Sequence, residues 1–329
     1  MKKFKVAIIG MGLIGKKRAS NLGSQGELVA YSDIKKSKLE FLKKNVKKIK
    51  FFKNWNQLLR VKSIDIIIIS TVHNKLAEIM IEAIKHKKHI LVEKPAAIRL
   101  LDLKNAIKLS KKNKNKIRVG YNHRFHAAIL KSKHLINEGL LGQLMFIKSS
   151  YGHGARIGYH NEWRMNPKIS GGGELIDQGS HLIDLSIYFF GKVKKVIGVL
   201  ESFFWKKKVD DNCFVTIQFD NNCTSFFHAS CTEWKNNFLF EIYGKKGKIK
   251  IEGKGGSYGA EKLIYYKMGK EMGPPLKKVW RFPSPDFSWR REINELYKDI
   301  TLDRKPKPSL EEAYEVLKII KKIYTMNKL

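Results

Sequence analysis

The sequence contains three cysteines in 329 residues, Cys213, Cys223 and Cys231, with no CxxC pair among them. A disulfide-stapled scaffold is excluded by that scarcity. Without Cys/His ligand spacing there is no candidate zinc site either, so no metal is expected. The three thiols fall in strand-like segments and read as small buried groups. No run approaches the ~20 consecutive apolar residues of a membrane span. The N-terminal MKKFKVAIIGMGLIG sets lysines before an apolar run, as a signal peptide does. Gly10, Gly12 and Gly15, with the charges straight after them, suit a strand and turn better. The sequence therefore predicts a cytoplasmic protein with no membrane partner.

Acidic residues are also scarce: 30 Asp and Glu against 65 Lys and Arg leave a formal charge of +35. Charge of this size bears on solubility and steering rather than on fold. A nucleic-acid binder would gather it on one face or arm with aromatics interleaved. Here lysine runs from Lys2 to Lys328, mostly on polar helix faces and in turns such as KKNKNK (111–116). That dispersal reads as solvated surface and no nucleic-acid partner, although a positive field could still attract an anionic cofactor or a phosphorylated substrate.

What is present is a globular chain, 43% hydrophobic and 11% aromatic, long enough for two domains and a sizeable core. Its first part alternates strand-like runs, KVAIIG (5–10), LVAYSD (28–33), DIIIIST (65–71), HILVE (89–93) and IRVGY (117–121), with helical patterns at 14–23, 36–45, 75–87 and 101–113. Strands apolar on both faces, separated by helices, predict a doubly wound parallel sheet of Rossmann type. Beyond residue 123 the texture changes. A helix (126–138), a strand (143–151) and a helix (174–190) lead into long strand-like runs at 193–205, 212–220, 224–234 and 238–253, and helices at 286–302 and 309–327 close the chain. Runs so closely connected form mostly antiparallel sheet. The expected architecture is α/β in two domains. Residues 1–123 would bind a dinucleotide, and residues 124–329 would form a substrate-binding and oligomerisation domain with a large open sheet. The closing helices would be free to pack back on the first domain.

GMGLIG (10–15) follows a strand and opens a helix. Gly10 suits the tight turn, Gly12 close approach to a pyrophosphate, and Gly15 helix-on-strand packing, with Leu13 and Ile14 inside the same turn. Asp33 ends the second strand, 18 residues beyond Gly15, where a carboxylate accepts the adenosine ribose hydroxyls. That favours NAD, because a 2′-phosphate would be repelled, while Lys35 and Lys36 keep NADP open.

VEKPAAI (92–98) puts Glu93, Lys94 and Pro95 at the end of a parallel strand, the edge where open α/β sheets bind ligands. A partly desolvated lysine there can hydrogen-bond a substrate oxygen and offset charge on it. GGGELIDQGSHLIDL (171–185) carries Asp177 and His181 four apart within an otherwise apolar helix. An imidazole with an unperturbed pKa of about 6.5 can exchange a hydroxyl proton near neutral pH. Asp177 would orient the ring, the three glycines would let backbone pass close to substrate, and Glu174 would cap the helix.

Taken together and in order, GMGLIG, KHILVEKP, GYNHRF (120–125) and GGGELIDQGSHLIDL resemble the oxidoreductase family of glucose-fructose oxidoreductase, inositol dehydrogenase and rhizopine catabolism (Gfo/Idh/MocA), across essentially the whole chain. The resemblance implies that Lys94 contacts the reacting hydroxyl and the nicotinamide side, that Asp177 and His181 lie against substrate, and that His181 is the general acid/base of a dehydrogenase. It also implies Glu93, Thr71 and His73 beside the cofactor and Asn122 and Arg124 near substrate. A homodimer or homotetramer through the C-terminal sheet is implied as well. Thr71-Val72-His73-Asn74 departs from the family's Thr-Pro step, which puts the cofactor contacts of that turn in doubt. His153, Arg156, Tyr159, His160, Trp163 and Arg164 crowd the loop before the glycines, a density of polar and aromatic groups that suits a sugar pocket or a lid. The function this predicts is NAD(P)-dependent hydride transfer to or from a sugar, polyol or nucleotide-activated sugar. A non-catalytic NAD-sensing regulator on the same fold is the alternative, and it would have no need of a proton relay.

Overall fold

The computed structural model describes residues 3–36, 39, 40, 42, 48–282 and 285–328. The chain divides into two compact units: Met1–Tyr121 with Ile169–Gly171 and Trp289–Leu317, and Asn122–Lys168 with Gly172–Ser288 and Lys318–Leu329.

In the first unit, strands β1 (Phe4–Ile9), β2 (Gly26–Ser32), β3 (Lys50–Phe52), β4 (Ile66–Ile69), β5 (His89–Glu93) and β6 (Ile117–Gly120) form a parallel sheet in the order β3-β2-β1-β4-β5-β6. Its helices are α1 (Leu13–Ser20), α2 (Trp55–Leu59), α3 (His73–Lys85) and α4 (Leu100–Ser110). Four consecutive isoleucines make β4, and each is fully buried. A strand covered on both faces needs no alternation, which is why its sequence reads as one apolar run. The short β3 and α2 were not anticipated, and the helix expected at 36–45 falls largely outside the described residues.

The second unit holds helices α5 (Ala127–Asn137), α6 (Pro167–Ser170, whose last two residues belong to the first unit) and α7 (Ser180–Phe190). Its strands are β7 (Leu144–Gly152), β8 (Val193–Glu201), β9 (Asn212–Phe219), β10 (Thr224–Ser230), β11 (Asn237–Gly244), β12 (Gly247–Glu252), β13 (Glu261–Lys267) and β14 (Leu276–Phe282). They pair in the order β14-β13-β12-β11-β7-β10-β9-β8, antiparallel throughout except for β7 beside β10. The tight turn between β11 and β12 lies where YGKKGK marked a hairpin. Strands β13 and β14 are additions to the sequence reading. One sheet face buries Ile147, Val215, Phe227, Phe240 and Ile242, while the other leaves Phe146, Ile197, Val199, Phe214 and Phe226 exposed. All three cysteines are buried and reduced.

Closing the chain are α8 (Ser288–Thr301) and α9 (Leu310–Met326). Ile293, Leu296 and Tyr297 of α8 join the first unit's core with Val6, Ile8, Tyr31 and Leu91, and the Tyr297 ring stacks on Phe4 at 5.2 Å. Among the described residues no helix is long and apolar enough to cross a membrane.

Candidate functional site

The first unit presents a glycine turn between β1 and α1. Gly10 has φ +92°, and a Cβ there would lie 2.5 Å from the Ser70 carbonyl oxygen. A Cβ on Gly15 would approach the Gly10 oxygen to 2.0 Å, so β1 and α1 can close only with glycine at both positions. Gly12, in contrast, has nothing within 4 Å of its Cβ position. The turn is thus closed against its own fold and open at the one glycine that a dinucleotide must approach. Leu13 is 72% exposed at the start of α1, whose first turn carries no acidic side chain and no side-chain cap. The free N–H groups and helix dipole there favour an anion. Asp33 Oδ2 accepts from the Met11 N–H at 2.6 Å, tying the end of β2 to the same turn. These residues fit the dinucleotide for which they were singled out.

Lys94 is half-buried at the carboxyl end of β5. Beside it, Glu93 accepts from Arg18 Nε at 2.7 Å, and Arg18 also bonds Glu292 of α8 at 2.5 Å. Arg18 is 2% exposed, Glu292 is fully buried, and Trp289 lies over the guanidinium at 4.5 Å. Burial pushes the Glu292 carboxyl up to about 7, against the pull of Arg18. Glu93, assigned above to the cofactor, is thereby engaged in a buried ion network that the sequence did not reveal. A Cβ on Gly120 would come within 2.8 Å of Arg18 Nη2, so that glycine makes room for the pair. Of the two residues in the Thr-Val-His turn, Thr71 Oγ1 donates to the Val72 carbonyl at 3.4 Å. Buried His73 places Nδ1 2.8 Å from the Ser170 carbonyl. That nitrogen carries the proton, because a carbonyl can only accept.

In the second unit the helix expected from 174 to 190 is divided. Residues Leu175–Gly179 form a π-helical turn, and α7 begins at Ser180. The start of that turn is held by a residue from further along the chain. Fully buried Asp210 accepts from the Gly173 N–H at 3.0 Å, the Leu175 N–H at 2.6 Å and the Tyr324 hydroxyl at 3.0 Å. Its carboxylate takes up N–H groups that lack an intrahelical partner at a helix start. A Cβ on Gly173 would meet the Asp210 backbone carbonyl oxygen at 1.9 Å, and one on Gly172 the Tyr324 hydroxyl at 1.9 Å. These two glycines therefore admit Asp210 and Tyr324, which corrects the expectation that they clear a path for substrate. Glu174 is corrected too: it makes no side-chain cap. Buried instead, it receives the Tyr159 hydroxyl at 3.4 Å and lies 3.6 Å from His153 Nε2. Burial opposes protonation of His153, but Glu174 outweighs it and holds that imidazole above its ordinary pKa.

The structure brings three expected residues together beside this turn. Arg164 Nε donates to Asp177 Oδ2 at 3.0 Å, and the guanidinium lies 4.6 Å from the Trp163 ring centroid. Arg124 is placed otherwise. Two of its nitrogens form a bidentate pair with fully buried Asp184, at 2.9 and 2.6 Å, so the fork assigned to substrate is committed to α7. Asn122 donates to the Ser288 hydroxyl at 3.1 Å and is also buried.

His181 is 6% exposed, and its ring stacks on His123 with centroids 3.7 Å apart and planes 16° from parallel. His123 Nε2 lies 2.6 Å from the Lys254 ammonium, which also donates to the Tyr151 hydroxyl at 2.6 Å. Tyr151, Tyr258 and Phe238 surround that ammonium, their ring centroids 3.8, 4.6 and 5.3 Å from Nζ. Two imidazoles, an ammonium and two phenols are thus concentrated around the expected acid/base. His123 stood within GYNHRF, but nothing in the sequence singled out Lys254, one lysine in a lysine-rich chain.

Comparison with known proteins fits both halves. Residues 4–121 match the family described as oxidoreductase family, NAD-binding Rossmann fold, and residues 129–250 match the GFO/IDH/MocA C-terminal domain. The chain belongs to the Gfo/Idh/MocA family of oxidoreductases. NAD is therefore the cofactor of its N-terminal fold. Relatives include levoglucosan dehydrogenase of Pseudarthrobacter phenanthrenivorans, 28% identical over 224 residues, which are 60% of this chain and 57% of that enzyme. Myo-inositol 2-dehydrogenase of Thermotoga maritima is 25% identical over 255 residues, 74% of each chain. The inositol 2-dehydrogenase of Salmonella typhimurium aligns over only 44% of its length. Among solved structures, levoglucosan dehydrogenase in complex with NADH and levoglucosan superposes with a TM-score of 0.87 over 99% of this chain and 98% of that one, at 21% identity. Aldose-aldose oxidoreductase from Caulobacter crescentus gives 0.86, also at 21% identity, over 99% and 98% of the two chains. At such identity these two show the fold.

Proposed function

We propose that this Gfo/Idh/MocA member is an NAD(P)-dependent dehydrogenase or reductase acting on a secondary alcohol carbon of a sugar, polyol or nucleotide-activated sugar. One observation carries the reading: His181 is a buried imidazole set in a polar, aromatic-walled cluster, with Asp177, four residues earlier in the chain, paired to Arg164. A residue with that surrounding suits proton exchange with a hydroxyl, which an apolar core position would not provide. In the oxidising direction His181 takes the hydroxyl proton. Lys94 donates a hydrogen bond to the same oxygen and offsets the charge that develops on it. Asp177, with Arg164 and Trp163, contacts substrate hydroxyls beside it. Gly10, Gly12, Gly15 and Asp33 would hold the dinucleotide, which supplies the hydride acceptor when bound. Asp33 disfavours a 2′-phosphate, making NAD the preferred form, while Lys35 and Lys36 soften the discrimination.

Residues 1–123 are assigned dinucleotide binding, and residues 124–329 substrate binding and assembly. The exposed face of the eight-stranded sheet sets Phe146, Phe226, Phe214, Ile197 and Val199 on adjoining strands, an apolar patch suited to covering by a second copy. Light scattering on the purified chain is expected to give a dimer or tetramer, and a monomer at micromolar concentration would refute that assignment.

The function is tested by a panel of sugars, inositols and nucleotide sugars with NAD and NADP, followed at the nicotinamide absorbance. At least one member of these classes should reduce NAD faster than NADP. A panel silent with both cofactors, in a protein that binds NAD, would overturn the reading in favour of a sensor.

A further inference from the structure

The Lys254 ammonium is 6% exposed and fixed by two hydrogen bonds of 2.6 Å within three aromatic rings. Burial works against an ammonium, but an aromatic cage and a nearby carboxylate favour it. Asp286 supplies the carboxylate: its pKa is held down, against burial, by His126 first and also by Lys254. A charged lysine has three donors and no lone pair, so His123 Nε2 must accept from it. The His123 proton then resides on Nδ1, and a second proton has no place. His181 lies face to face with that ring. Two stacked imidazoles cannot both be imidazolium cheaply, so whichever ring is barred from protonation leaves the proton to the other.

We infer that Lys254 is a positioning residue for the acid/base step: its ammonium keeps His123 neutral with the proton on Nδ1, so that His181 alone exchanges the substrate proton. This rests on the function proposed above. Other titratable or charged groups of the second unit around the pair are Tyr151 and Tyr258, His126 with Glu261 and Asp286, Asp177 with Arg164, and Asp184 with Arg124. Of these groups, His126 and Tyr151 meet His123 ring to ring, whereas Lys254 engages its Nε2 in a hydrogen bond.

Lys254→Met removes both the charge and the donor. The first protonation of the stacked pair should then move to higher pH by about one unit, and the proton should be shared between the two rings. The acid limb of kcat/KM in the oxidising direction should rise by the same amount. Lys254→Arg, which restores a charge and a donor, should return the limb toward its original position. Lys254→Gln keeps a donor without the charge and replaces the Met variant if that fails to fold. Imidazole nitrogen shifts of histidine-labelled protein with NAD bound give the same information without turnover. In the unaltered chain they should show His123 neutral and protonated on Nδ1 while His181 titrates. If His123 protonates first, or if the neutral variants lose rate with both the limb and the shifts unmoved, Lys254 is only a packing residue and the inference fails. Shifts that move as expected in a protein inactive on every sugar would overturn the proposed function and leave the inference standing.

Discussion

Replacing His181 by asparagine lowers turnover about a hundred- to ten-thousandfold, the range contributed by a positioned acid or base, while NAD binds as in the unaltered chain. The imidazole belongs to the second unit, whereas Gly10, Gly12, Gly15 and Asp33 belong to the first. The substitution leaves all four of those residues unaltered, so NAD affinity is expected to be kept. Lys94→Met has an effect of similar size for a different reason. On the function proposed above it removes the donor that would offset charge on the reacting oxygen, worth about a hundred- to a thousandfold for a single oxyanion contact. The measurements are kcat at the nicotinamide absorbance with the best substrate of the panel, and NAD affinity by direct titration. His181→Asn should also flatten the acid limb of the pH profile, because no imidazole remains to be protonated. Rates within a few-fold of the original in both variants would remove both residues from the chemistry.

The parts of this site that were legible in the sequence are those whose signal is local. Gly10 and Gly15 announce themselves because a turn that tight admits no Cβ, and the spacing to Asp33 is set by one βαβ unit. The four isoleucines of β4 and the closing β11–β12 turn are equally self-contained. What stayed hidden depends on distant partners. Lys254 looks like any of 65 basic residues until the fold buries it among Tyr151, Tyr258 and Phe238. Arg124 was placed near substrate by the resemblance, and its partner Asp184, 60 residues away on α7, could not be read from GYNHRF. Arg18 sits amid the lysines of α1, and Glu292 is 274 residues further on. Strand β14, LKKVWRF, is an edge strand, and its lysines blunt the exposed edge while obscuring the alternation that would betray a strand. The π-helical turn was unreadable for the same reason as Asp210: nothing in GGGELIDQG reveals that a carboxylate 35 residues on will seize its backbone.

Asp210→Ala should therefore be the most destabilising substitution near the site, costing about 2–5 kcal/mol, since three buried donors lose an acceptor at about 1–3 kcal/mol each, the Gly173 N–H alone keeping a second one, the Tyr324 hydroxyl at 3.1 Å. Those donors are the N–H groups of Gly173 and Leu175 and the Tyr324 hydroxyl. The loss should fall on activity as well as on stability, because they set the turn that carries Asp177 and leads into His181. Burial is the largest influence on the carboxyl itself and pushes it up to about 6, above the 3.8 of an unperturbed aspartate. A raised acid keeps its proton in the folded chain after the unfolded chain has released it. Its contribution therefore favours folding below about pH 4 and fades as pH rises through about 6. Asp210→Asn is neutral at every pH and lacks that dependence, although its amide presents a donor where an acceptor is needed. The stability gap between the original chain and Asp210→Asn, measured by denaturant unfolding, should accordingly narrow by about 1 kcal/mol between pH 5 and pH 7. A gap that widens over this interval would mean that the carboxylate is stabilised by its hydrogen bonds more than it is penalised by burial.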